Sequence, residues 1–195
     1  MHLGGIGVSF LRMKKPVSVS EPLCAESEAA LRMATHVHNF KCWYAGVLDA
    51  LYKHTNAGFV ILIVAFPLLE RYLREKSGLP ENDPLTDQFY LELLAVFPAL
   101  SRIAVAKEFW QVYRNGLLHQ VTLSRQNRKG EPMRKGSLRS DGRMLTIEPG
   151  DFWVDPVEFA RAVIQTIDND FPTFEGQRSN PLPVINITSN GTGPG

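Results

Sequence analysis

The chain has 195 residues, 44% of them hydrophobic, and a formal net charge of +1 at pH 7. Its length and hydrophobic content suit one domain with a single core. The near-zero charge excludes a global electrostatic field that would draw the protein to nucleic acid or to a membrane surface, so any basic surface must be local. The two cysteines, Cys24 and Cys42, form no metal-site or disulfide-framework pattern, which is typical of a reducing compartment.

No segment has the pattern of a membrane span or a secretion signal. The longest apolar run, Ala57–Leu69, is too short to cross a bilayer and passes directly into a charged segment. Residues 1–20 place their basic residues after the apolar ones, unlike a signal peptide. The sequence also has no metal-ligand cluster and no phosphate-cradling glycine loop. We therefore expect a cytoplasmic protein with no membrane contact, no cofactor and no metal ion.

The hydrophobic periodicity predicts a mainly α fold. Residues 1–24 show no sustained period and are predicted to be an N-terminal arm. From Glu26 to Asn56, apolar residues recur at helical spacing and predict a long first helix. A second, buried helix is predicted over 58–76 and ends at Gly78. A third follows a loop in which Asp83 precedes a proline, the usual sequence at a helix start.

The pattern changes from helical to alternating after the fourth predicted helix. This helix follows Pro98 and carries Arg114–His119 near its end, with Gly116 as a candidate break. Residues from about 121 to 155 then alternate in short segments that are separated by Lys-Gly and Asp-Gly pairs. This pattern predicts a small β-hairpin or meander inserted before the last helix.

The last helix is predicted from a local start signal. Asp155 is followed by proline and then by apolar residues on one helical face, which is typical of an aspartate N-cap with proline at the first helical position. We expect one helical domain over 25–174 and a C-terminal tail over 175–195.

The segment Arg114-Asn115-Gly116-Leu117-Leu118-His119 carries the residue types of a site that acts on phosphate esters. Arginine stays charged and its fork fits phosphate oxygens, while histidine titrates near neutral pH and can take or give a proton. In a chain with 13 arginines and 5 histidines, chance produces this spacing in about one chain of three, so spacing alone is weak. The context strengthens it, because the segment follows an aromatic-rich amphipathic helix.

This segment, in a helical core, resembles the signature of the HEPN superfamily, the higher eukaryote and prokaryote nucleotide-binding domains. Arg114, Asn115 and His119 fill the three positions of that signature: an arginine, a polar residue directly after it, and a histidine a few residues beyond. The resemblance covers roughly residues 26–170, but only the six-residue motif is specific. It implies a four- to five-helix HEPN-like bundle, a homodimer that brings two motifs together and, in many members, metal-independent endoribonuclease activity in toxin–antitoxin or phage-defence systems.

The chemistry of metal-free RNA cleavage suits these residue types. We expect His119 to act as general acid/base, Arg114 to stabilise the transition state and Asn115 to support them. On an α-helix, however, Arg114 and His119 are about 140° apart. The sequence therefore predicts either a bend at Gly116 or a meeting of the two side chains with their counterparts across a two-fold axis, as the family's dimer implies.

Structural interpretations of the same residues stay open. Arg114 and Asn115 are also suited to cap the C-terminal carbonyls of the fourth helix, with Gly116 ending it and His119 half-buried. Glu70 is a candidate to orient Arg114, but the more ordinary expectation is a pair with Arg74 one helical turn away.

A basic cluster follows the motif. Between Arg125 and Arg143 seven cations face only two carboxylates, an excess that can hold an RNA backbone through phosphate contacts. The residues that we predict to bind substrate are Arg125, Arg128, Lys129, Arg134 and Lys135. A solvated hairpin with charged tips is an equally good interpretation.

The leading hypothesis is a homodimeric, HEPN-like endoribonuclease that cleaves single-stranded RNA and leaves a 2′,3′-cyclic phosphate. The alternative is a non-catalytic HEPN-like dimer that binds nucleic acid or a partner protein. An antitoxin is a candidate partner, but the family's modified tyrosine, two residues after the histidine, is Val121 here. Neutralisation by modification of that tyrosine is therefore in doubt.

Overall fold

The structure is a computed structural model that describes residues 21–120, 123 and 134–175, with the backbone alone at 21–29 and 118–120. The chain divides into two units, Met1–Thr35 and His36–Gly195. In the first unit the described residues are helical from Glu21, and the Thr35 hydroxyl donates a hydrogen bond of 2.9 Å to the carbonyl of Leu31.

Helices make up most of the described residues, which confirms the predicted mainly helical fold. The α-helices are α1 (Glu21–Phe40), α2 (Gly46–Leu51), α3 (Gly58–Lys76), α4 (Asp87–Val96), α5 (Ile103–Trp110), α6 (Pro156–Asn169) and α7 (Phe171–Glu175). The described residues also include two π-helical segments, Lys41–Ala45 between α1 and α2 and Gln111–Gln120 directly after α5, and one 3₁₀ turn, Pro98–Leu100. The long first helix of the sequence prediction corresponds to α1, the first π segment and α2 together.

The core of the second unit is built around α3, which packs against α4, α6, α7 and the second π segment. Phe66 of α3 is fully buried and stacks on Phe159 of α6, with ring centroids 4.9 Å apart. Trp110 and Tyr113 contact the same Phe66 ring. Burying these large rings is a main source of stability, and the prediction of a buried second helix is confirmed.

The predicted end of α3 is confirmed, but the predicted start of α4 is not. Gly78 has φ of +65° and ends α3 as predicted: its N–H bonds the carbonyl of Glu75, and the Leu79 N–H bonds that of Arg74, the pairing of a Schellman cap. The predicted cap at Asp83 is wrong. The helix begins at Asp87 instead, because Asp83 lies in a turn in which its N–H bonds the carbonyl of Pro80.

Three strands form the small sheet in the described residues: β1 (Lys135–Leu138), β2 (Leu145–Glu148) and β3 (Asp151–Val154), in the order β1-β3-β2. β2 and β3 are an antiparallel hairpin with Glu148 opposite Asp151, and the turn places Gly150 at φ of +87°. The predicted hairpin is thus confirmed. The order is not that of a meander, because β1 pairs with β3 in parallel.

The final helices close the second unit. The Asp155 side chain accepts hydrogen bonds from the N–H groups of Val157 and Glu158, which confirms the predicted N-cap of α6. Glu175, predicted to be the first tail residue, is instead buried at the end of α7. Its Oε1 lies 2.5 Å from Nδ1 of His36, and the guanidinium of Arg71 bonds its carbonyl at 2.8 Å.

Candidate active site around Arg114

The motif lies in the π-helical segment Gln111–Gln120, which follows α5 directly. In a π-helix each N–H bonds the carbonyl five residues earlier, so residues five apart lie almost one above the other. The backbone therefore places positions 114 and 119 on one side of the helix, where an α-helix would separate them. No bend at Gly116 is needed, since the helix continues through this buried glycine to Gln120.

Arg114 is oriented by a carboxylate of α3. Its Nε donates to Oε2 of Glu70 at 2.6 Å, while Nε of Arg74 bonds the other oxygen, Oε1, at 3.1 Å. The side chain of Arg114 is 26% exposed and that of Glu70 is 13% exposed, so solvent reaches the arginine more than the carboxylate. Both predicted roles of Glu70 are confirmed, because its two oxygens serve the two arginines at once.

Asn115 supports the guanidinium from the same helix. Its Oδ1 accepts a hydrogen bond of 3.3 Å from Nη1 of Arg114. The alternative in which Gly116 ends the helix is wrong, because the helix runs past it. The side chain of His119 lies outside the described atoms, so its predicted role in catalysis stays a prediction.

The sheet holds the motif helix in place through Tyr113. This fully buried residue directly precedes Arg114. Its hydroxyl lies 2.9 Å from the Ser137 carbonyl and 2.8 Å from that of Phe152, and it accepts the N–H of Ser137 at 3.1 Å. β1 approaches so closely that a Cβ on Gly136 would lie 3.0 Å from a Val112 methyl group. The small insertion is therefore packed directly on side chains of the helix that carries Arg114.

We expect Tyr113→Phe to lower the free energy of unfolding by about 1–3 kcal/mol, because buried backbone groups of the sheet lose their partner. Burial raises the pKa of Tyr113, so the folded state holds this proton more tightly than the unfolded state. The resulting stability is complete below the unfolded pKa of about 10 and is lost as pH rises above it, by up to about 1.4 kcal/mol per pH unit.

Urea unfolding from pH 8 to 11 measures both effects. Wild type should lose more stability above pH 10 than Tyr113→Phe does. Tyr44→Phe is the matched control, since the Tyr44 hydroxyl makes no hydrogen bond in the described part of the chain. Equal pH slopes for wild type and Tyr113→Phe would contradict the assignment.

The predicted basic cluster is only partly described. Arg125, Arg128 and Lys129 lie outside the described residues. Arg134 forms an ion pair with Glu108 of α5 and packs its guanidinium 5.4 Å from the centre of the Phe152 ring, contacts that join the sheet to α5. Lys135 is exposed at the start of β1. RNA binding by this cluster stays a prediction.

A separate cavity of about 510 Å³ lies between the α2–α3 connection, the end of β1 and the start of α6. Lys53, Phe59 and Arg139 contribute to its wall, but the motif residues do not. Among residues 21–120, 123 and 134–175, no three His, Cys, Asp or Glu side chains are placed to share a metal ion. No helix in this part of the chain has the length and apolar character to cross a membrane.

Comparisons with known proteins find nothing similar to this chain: no family model, no curated protein and no solved structure matches it.

Proposed function

We propose that the chain is a HEPN-like, metal-independent endoribonuclease that acts as a homodimer in the cytoplasm, in a toxin or phage-defence role. His119 acts as general acid/base, Arg114 stabilises the transition state and Asn115 supports the guanidinium. The substrate is single-stranded RNA, and the basic cluster after the motif holds its backbone.

One observation carries this proposal: the π-helical winding brings positions 114 and 119 to one side of the helix while Glu70 fixes the Arg114 guanidinium. A proton-transfer group and a phosphate-binding cation must act on the same phosphorus atom. An α-helix with this spacing would direct them apart. Winding of this kind is rare and is found frequently at functional sites.

The reaction needs no water and no cofactor. The 2′-oxygen of the ribose attacks the adjacent phosphorus, and its proton passes to a neutral imidazole. The bond from phosphorus to the 5′-oxygen breaks, and that oxygen takes a proton from an imidazolium. The products are a 2′,3′-cyclic phosphate and a 5′-hydroxyl. In the dimer two copies of His119 take these opposite roles, while Arg114 neutralises the charge that builds on the phosphoryl oxygens.

An apolar face of α3 supports the dimer. Phe59, Val60 and Ile63 are 40%, 48% and 37% exposed, and the exposed Pro67 continues the same face at helical spacing. Further along that face come Glu70 and Arg74. A second copy that packs here covers the apolar residues and approaches the Arg114 site.

The alternative is a non-catalytic HEPN-like dimer that binds nucleic acid or a partner protein such as an antitoxin. The same contacts support it, because the ion pair between Glu70 and Arg114 also joins α3 to the π-helix. In that case the motif serves the interface and not a reaction.

Incubation of the purified protein with labelled single-stranded RNA in EDTA tests the proposal. We expect internal cleavage with 2′,3′-cyclic phosphate ends, and no cleavage of DNA of the same sequence, because DNA lacks the 2′-hydroxyl. An RNA with a single 2′-deoxy residue should resist cleavage at that residue alone. Cleavage of DNA, or products with 5′-phosphate ends, would reject the mechanism. A dimer that binds RNA without cutting it would favour the alternative.

A further inference from the structure

Arg74 and Arg114 share a single carboxylate, and this arrangement gives Arg74 a role of its own. We infer that Arg74 is a positioning residue that sets the anion affinity of Arg114 through Glu70. This inference rests on the proposed function, since it assigns Arg114 to phosphate binding.

The first step is that Arg74 is held independently of Arg114. Its Nη1 donates to the carbonyl of Pro80 at 2.8 Å and to that of Asp83 at 3.0 Å, both in the turn between α3 and α4. Its side chain is 15% exposed. A guanidinium fixed by several hydrogen bonds loses little further freedom when it binds a carboxylate. Arg74 therefore holds Glu70 in one orientation whether or not an anion is bound to Arg114.

The second step concerns how the charge of Glu70 is divided. If Glu70 had only Arg114 as a partner, its negative charge would largely cancel the positive charge that a phosphate needs. Because Oε1 bonds Arg74 and Oε2 bonds Arg114, each arginine receives only part of that charge. The carboxylate thus aligns the Nε of Arg114 without removing its attraction for anions.

Side-chain NMR of the full-length protein measures the anion affinity of Arg114 directly. The Nε–H signal of Arg114, assigned by its loss in Arg114→Lys, is followed while inorganic phosphate is added. In Arg74→Met the dissociation constant should rise about fivefold. In Arg74→Lys, which restores the charge, it should return to within about twofold of wild type. Lys76→Met is the matched control, because Lys76 is on the same helix but pairs with Asp170.

Glu70→Gln supplies a test of opposite sign that does not depend on the folding of Arg74→Met. Loss of the carboxylate leaves Arg114 with more of its charge, so phosphate should bind more tightly, while RNA cleavage slows because the guanidinium is less well aligned. Opposite shifts in Arg74→Met and Glu70→Gln support the inference.

Three results would overturn the inference: Arg74→Met that binds phosphate like Lys76→Met, Arg74→Lys that fails to recover, or a wild-type Arg114 signal that phosphate does not move. If the expected binding results are obtained but no RNA is cut, the proposed function fails and the anion site stands.

Discussion

Replacing Arg114 or His119 with alanine should slow RNA cleavage by about 10²- to 10⁴-fold without unfolding the protein. In the proposed mechanism, Arg114→Ala removes the cation that neutralises the transition state. It leaves Glu70 with its second partner, Arg74, so no buried carboxylate becomes unpaired and the fold should persist. His119→Ala removes the proposed proton-transfer group. Single-turnover cleavage in EDTA measures the rates, and light scattering measures the oligomeric state.

Two further variants separate catalysis from simple charge. Arg102→Ala removes a cation from the exposed residue before α5 and should cut RNA at the wild-type rate. Arg114→Lys keeps the charge but loses the planar fork and the Nε–H that bonds Glu70, so it should recover only a small part of the activity. Full activity in folded Arg114→Ala and His119→Ala would show that the motif is not the active site.

The sequence predicts helices well where a local signal acts alone, and α4 and α6 show the limit. An aspartate followed by proline stands before both. At α6 the signal is correct, because Asp155 caps its own helix. At α4 the signal fails. The Asp83 carbonyl accepts a hydrogen bond from Arg74, and the Asp83 N–H donates one to the carbonyl of Pro80 within a turn. The contact of Asp83 with Arg74, which lies on α3, decides the outcome at α4. No local sequence pattern shows such a contact.

The candidate site shows a similar limit, because the sequence gives its residue types but not their arrangement in space. The residue types of the motif make Arg114, Asn115 and His119 candidates for a site, but the winding of their helix cannot be predicted, because a period of 3.6 residues is assumed for every helix. Glu70 was a candidate for either arginine and proved to bond both. The buried pair of His36 with Glu175 was missed because its members are 139 positions apart. Pairing over such distances depends on the fold.

Ile63→Arg should convert the dimer to a monomer and reduce RNA cleavage at least about tenfold, if a second copy covers the apolar face of α3. The exposed Ile63 side chain can be replaced in a monomer at little cost, because a long charged side chain stays in water. In a dimer the same guanidinium would be buried without a partner, which costs several kcal/mol. Sedimentation velocity gives the mass, and the rate of cleavage is measured on the same samples.

Leu91→Arg provides the matched control. Leu91 is 47% exposed but lies on α4, so this variant should stay dimeric and active. If Ile63→Arg is monomeric but cleaves RNA as wild type does, one protomer holds the whole site. The π-helical placement of positions 114 and 119 in one chain would then suffice for the reaction. If the monomer is inactive while Arg114 keeps its contact with Glu70, the second copy supplies the missing proton-transfer group.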